Sequence, residues 1–173
     1  NGTRTNFRNF NNDFGAYSYS GREQIIKKTS AYMVILMYAI REMEDALDDC
    51  KESCVIESCN DDPVHAWDEA VAFYTGSLQG WDGSGAGKLT YNLAEKRCQN
   101  FKTCGEKADS TTGTANINLQ IFEEFSIGKA KIAQGRCGST RAQKEAIETM
   151  MIVPLVQGAL RYTWKTANEP YNE

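Results

Sequence analysis

The sequence predicts an all-α protein: an irregular bundle of about five helices behind a non-helical N-terminal arm, reinforced by disulfides. Three observations carry that expectation. Apolar residues beyond residue 25 recur in steps of three and four, the period of one helix face. Capping residues, prolines and glycines punctuate those runs where helices would start and stop. No stretch reads as a strand. At 173 residues and 41% apolar content the chain is one ordinary domain, able to bury roughly 70% of its unfolded surface without crosslinks. Its 14 Gly, 3 Pro and 24% charged residues exclude disordered, collagen-like and disulfide-knot classes.

Residues 1–20 form the arm, with five Asn, three Phe, two Tyr and Ala16 as the only aliphatic side chain. Phe7, Phe10, Phe14 and Tyr17 are spaced by three, four and three, so a short helical or extended segment presents one aromatic edge. That edge packs on its own domain or docks on a neighbouring subunit. Residues 21–173 are the single helical domain. Its first helix carries the stripe Ile26, Thr29, Met33, Leu36, Ile40, Met43, Leu47, Cys50 and Cys54. Residues 31–40 are apolar all round, which predicts a central helix covered on several sides.

Asp62-Pro63 supplies an N-cap followed by proline at the first helical position. Trp67, Val71, Tyr74 and Leu78 are the next stripe. A third helix is expected over residues 88–102, with Leu89, Leu93, Cys98 and Phe101 inward and Gly105 as its stop. The fourth starts near Ala115, buries Ile121, Phe122, Phe125, Ala130 and Ile132, and ends at Gly135. The fifth opens with Thr140 and Gln143 as a capping box and runs through Met150, Met151, Val153 and Val156 toward Trp164, kinked at Pro154.

Six cysteines, Cys50, Cys54, Cys59, Cys98, Cys104 and Cys137, are even in number and contain no CxxC pair. Together with an N-terminus at Asn1 instead of Met, they point to a processed chain in an oxidising compartment: secreted, periplasmic or at the cell surface. Six cysteines allow fifteen pairings. Cys50 and Cys54 lie one turn apart and each reaches a different segment; the local pairs Cys54 with Cys59 and Cys98 with Cys104 require a helix to end between them. Zinc is the alternative use of these thiols. Asn1-Gly2-Thr3 is a glycosylation sequon. The longest apolar run, residues 31–40, is far shorter than the roughly 20 residues that span a bilayer, so neither a transmembrane segment nor a signal peptide is expected.

Net charge is −4, but residues 41–69 hold eleven acidic side chains against Arg41 and Lys51, a local −9 that leaves +5 elsewhere. The concentrated negative field argues against nucleic acid as a partner and allows cation binding or head-to-tail self-association. Glu42, Asp45, Asp49 and Glu52 form a carboxylate ladder opposite the buried stripe, of the oxygen-donor kind that hard cations such as ferric iron prefer. His65, the only histidine, stands one turn before Glu69 with Asp68 beside it, a spacing that can hold a metal between imidazole and carboxylate. Of Glu123 and Glu124, the latter lies nearer the core. One histidine and no partner nucleophile leave a catalytic triad unsupported, so no enzyme is expected. Residues 83–90 (GSGAGKLT) lack the first Gly of a phosphate loop, where Asp82 stands, and carry Leu89 where Ser or Thr must follow the Lys.

Residues 65–80 (HAWDEAVAFYTGSLQG), 87–105 (GKLTYNLAEKRCQNFKTCG) and 154–162 (PLVQGALRY) resemble the algal low-iron-inducible periplasmic family, also called iron-assimilation proteins. The resemblance covers roughly residues 60–165. It implies a secreted algal protein that helps deliver iron without being an enzyme. Members of that family look longer, often with this unit twice, and no iron ligand transfers residue by residue. The other expectation the residues support is an extracellular structural protein that forms a filament or homo-oligomer through residues 1–20.

Overall fold

The first helix starts before its apolar pattern does, because the Ser18 hydroxyl accepts a hydrogen bond from the Gly21 N–H at 3.1 Å and caps it. The computed structural model describes residues 4–7, 10–52, 62–77, 79, 85 and 87–168. Its architecture is all-α. Helix α1 (Tyr19–Thr29), a five-residue π-helical turn (Ser30–Val34) and α2 (Ile35–Glu52) make one continuous rod. Around it lie α3 (Pro63–Thr75), α4 (Thr90–Phe101), α5 (Asn116–Ala133) and α6 (Cys137–Asn168), so five helical rods are present as expected. Ahead of them, the backbone of β1 (Arg4–Phe7) and β2 (Phe10–Asp13) pairs antiparallel, with Arg4 opposite Asp13 and Phe7 opposite Phe10. That pair departs from the expectation of no strand. Only two residues separate its halves, the spacing of the tightest hairpins, and Thr and Phe favour extended backbone.

The π turn corrects the predicted stripe. Ile35 N–H donates to the Ser30 carbonyl five residues back, one more than in an α-helix. The inserted residue rotates α1 by roughly 100° relative to α2. Leu36, Met43 and Leu47 therefore face inward as predicted, joined by Ala31, Ala39 and Ala46, whereas Ile26 and Met33 are 67% and 57% exposed. No residue of α1 is buried. The apolar stretch 31–40 is covered on one side only, contrary to its predicted central position.

Helix α3 begins as its sequence requires. Asp62 Oδ1 accepts from the Val64 N–H at 2.8 Å and Pro63 fills the first position. Trp67 and Tyr74 are fully buried. The Trp67 indole N–H donates to the Phe125 carbonyl of α5 at 2.9 Å, and its ring meets Phe125 edge-on, centroids 5.8 Å apart. Gly128 makes that approach possible, since a Cβ there would collide with the indole. Met43, Ile121, Ile147 and Met151 complete the core between α2, α3, α5 and α6. A polar chain closes one end of it: the Tyr74 hydroxyl bonds the Asn118 side-chain oxygen, the Asn118 amide donates to Glu95 Oε1 at 2.6 Å, and the same carboxylate caps the Ala115 N–H at 3.0 Å.

Several predicted inward residues are exposed instead. Phe101 ends α4 at 37% exposure, and Val153, Val156 and Trp164 of α6 are 37%, 50% and 59% exposed; that 32-residue helix turns Pro154 and Gly158 inward in their place. Ala130 is also exposed. The predicted Thr140–Gln143 capping box does not form, because α6 already starts at Cys137. Thr140 donates to the Arg136 carbonyl at 3.1 Å and the Gln143 side-chain oxygen accepts from Lys131 at 2.6 Å.

Cys50 bonds Cys137, tying α2 to the start of α6 across 87 residues, and Cys98 bonds Cys104 across the end of α4. The long bridge restricts the unfolded chain by about 4 kcal/mol. Those four sulfurs are thereby removed from any zinc site. Cys54 and Cys59 lie outside the described residues, as do Leu78 and the glycosylation candidate Asn1.

Gly128→Ala should press a methyl into the Trp67 ring and destabilise the fold by about 2 kcal/mol, net of the better helix propensity of Ala. A circular-dichroism melt should show Tm lower by roughly 6 °C. An unchanged Tm would contradict the close packing of α3 on α5.

Candidate functional site

Two surfaces carry the candidate chemistry: an acidic one on α2 and α3, and an apolar one along α1 and the start of α2. On the acidic surface, side chains already hold one another. Arg41 Nη2 pairs with Asp45 at 2.7 Å, Lys51 with Asp48 at 2.9 Å, and Lys129 of α5 with Asp68 at 2.6 Å. His65 Nε2 stands 3.5 Å from Glu69 Oε1, both side chains open to solvent. The i, i+4 spacing thus does bring His65 and Glu69 together, with Asp68 turned to Lys129. Glu42 and Asp49 are half-buried and Glu52 is exposed. Among the described residues no three His, Cys, Asp or Glu side chains gather closely enough to hold one metal ion.

On this surface Glu44, which no spacing argument singles out, is held by two cations of α6. Its carboxylate bridges Lys144 Nζ at 2.7 Å and Arg141 Nη2 at 3.2 Å. Lys144 is buried and also meets Glu148 at 2.6 Å. Hydrogen bonds from Lys144, then Arg141, hold the Glu44 carboxyl below the usual carboxylate range. Glu124, nearer the core than Glu123 as predicted, buries Oε2 without a hydrogen-bond partner among the described residues.

The apolar surface follows from the π turn. Arg22, Ile25, Ile26, Thr29 and Ser30 line one shallow groove. Met33, Val34, Met37, Tyr38 and Arg41 line the next, one turn further along the same rod. Ile26, Met33, Met37 and Tyr38 are 67%, 57%, 61% and 52% exposed. Val153, Val156, Leu160 and Trp164 form a second exposed strip on α6 at steps of three, four and four. Both strips have the spacing of buried faces. The signal that separates them is alanine: Ala31, Ala39 and Ala46, not the bulkier neighbours, mark where the rod meets other helices. In the arm, Tyr17 is 49% exposed; the side chains of Phe7, Phe10 and Phe14 lie outside what is described. No helix among the described residues is long and apolar enough to cross a membrane.

The sign of the Glu44 effect fixes a pH dependence. Its folded-state pKa is depressed, so its contribution is present above the unfolded carboxylate pKa and is lost as pH falls through the folded value. Lys144→Met should cost about 1 kcal/mol at neutral pH, a figure kept small because Glu44 is partly solvated. Urea melts at neutral and acid pH check it: the difference from the parent chain should shrink toward acid, and a constant difference would remove Glu44 from the effect. No family model, curated protein or solved structure matches the chain.

Proposed function

We propose that this is an extracellular, non-enzymatic protein that works by self-assembly, copy upon copy, through the exposed face of α1 and α2. The observation that carries the reading is that α1, eleven residues long, buries none of them. The helix runs on without a break into the π turn and α2, where Met33, Val34, Met37 and Tyr38 are exposed side by side. Contiguous apolar surface of this kind marks an interaction site. Charge favours a second copy as the occupant. Residues 41–69 carry −9 against +5 for the remainder, an uneven distribution that allows the acidic segment of one copy to meet basic side chains of the next. A head-to-tail contact that does not close on itself propagates into a filament. The two disulfides among the described residues suit an oxidising exterior.

Sedimentation velocity on the full chain at micromolar concentration should show oligomers. Met37→Glu, an exposed substitution that leaves the core intact, should weaken association at least about tenfold. A parent chain that stays monomeric, or a variant that assembles unchanged, defeats the reading.

Ferric iron binding is the second reading, favoured by the His65–Glu69 pair at 3.5 Å and by the resemblance to iron-assimilation proteins. Titration calorimetry with a soluble ferric chelate should show saturable binding that His65→Ala and Glu69→Ala each weaken several-fold. Equal affinity in both variants removes the pair from any iron site.

A further inference from the structure

Where α1, α4 and α6 converge, a cavity of about 290 Å³ opens among side chains of one sign. Lys27 and Lys28 reach it from α1, Lys88 from the segment preceding α4, and Lys96 and Arg97 from α4 itself. No carboxylate among the described residues lines it. The neighbouring carboxylate of α4, Glu95, is occupied with Asn118 and the Ala115 N–H.

Arg97 is the decisive residue. It is 6% exposed, and its Nε and Nη1 are buried without a hydrogen-bond partner among the described residues. Nearly all buried donors in native proteins are satisfied, and a charged donor left bare is the costliest exception. Burial, then the neighbouring Arg161, holds the Arg97 guanidinium below its ordinary pKa; burial, then Lys88, Lys27 and Arg97, does the same to Lys96. Both groups lack negative charge between them. In the same lining Lys28 Nζ sits over the Tyr162 ring, 4.2 Å from its centroid.

A guanidinium presents two parallel N–H groups to a phosphate or carboxylate, and ammonium groups add charge without geometry. Five cations around one small space favour an anion of more than one charge. At about 290 Å³ the space lies at the lower edge of ordinary ligand pockets, large enough for a phosphate or diphosphate group. We propose that this cavity binds a multiply charged phosphate-type oxyanion, with Arg97 as the buried anchor and Lys28, Lys88 and Lys96 closing around it. Lys88 thus serves phosphate chemistry although residues 83–90 lack the phosphate-loop motif: the lysine acts from the lining of a helical cavity that it shares with Arg97.

Isothermal titration of the full chain with inorganic phosphate and with pyrophosphate, at low ionic strength, tests the site. Saturable binding at one site per chain is expected, tighter for pyrophosphate and weakened by added salt. The Lys28→Gln/Lys88→Gln double variant, with both changes at the cavity rim, should fold normally by circular dichroism and bind at least about tenfold more weakly. Arg97→Lys, which keeps the charge and loses the fork, should weaken binding by a similar factor; if it fails to fold, the double variant alone decides. No saturable binding of either anion, or unchanged affinity in the double variant, overturns the proposal. So does binding of citrate as tight as pyrophosphate, or binding of a peptide of residues 42–52 in place of the inorganic anions, which would return the cavity to the assembly contact.

Discussion

The indole of Trp67 lying against Gly128 is the contact on which the rest of the bundle depends. A ring of that size cannot approach a helix backbone unless one position lacks a side chain, and Gly128 is that position. The reward is a hydrogen bond from the indole N–H to the Phe125 carbonyl, so the largest buried side chain leaves no polar atom unsatisfied. With α3 seated on α5, Tyr74 is carried further along to meet Asn118, which in turn orients Glu95 of α4. Helix α2 then fills the remaining side with Met43 and Leu47, and α6 covers it with Ile147 and Met151. The alanines of α2 fit this arrangement: Ala39 and Ala46 are wholly buried, which lets α2 lie close to its neighbours.

Helix number, the Asp62-Pro63 start and the burial of Trp67 and Tyr74 are legible in residue order, and the bridge from Cys98 to Cys104 is one of the pairings that order left open. They depend on local chemistry: a cap, a fixed φ, a period, a helix ending between two cysteines. The phase of the first helix is not legible. A period of three and four survives a one-residue insertion almost unaltered to the eye, yet the insertion at Ser30–Val34 turns Ile26 and Met33 from the core toward solvent. Val153, Val156 and Trp164 mislead for a different reason. Their spacing is correct for a buried face, but the side of α6 that its neighbours cover carries Pro154 and Gly158 instead.

The candidate sites divide in the same way. His65 and Glu69 meet because i and i+4 neighbours on a helix always do. Glu44 and Arg141 meet across 97 residues of chain, and no spacing rule reaches that far. Arg97 reads in sequence as one more surface cation between Lys96 and Cys98, and only the convergence of three helices removes it from water. The molecule therefore has an acidic flank in which Glu44, Asp45, Asp48 and Asp68 are ion-paired, and a cationic hollow that no carboxylate among the described residues lines. The rod of α1 and α2 adds an exposed apolar face, so charge of either sign and hydrophobic contact occupy different parts of one small body.

The bond between Cys50 and Cys137 encloses α3, α4 and α5 in a covalent loop. A peptidase that cuts the backbone once inside residues 51–136 opens that loop without releasing a fragment. The two halves stay joined at α2 and α6, the very helices that sandwich the Trp67 core. Damage of this kind, the ordinary fate of proteins exposed to a hostile medium, leaves a nicked molecule that is still one molecule and can close again around the same core.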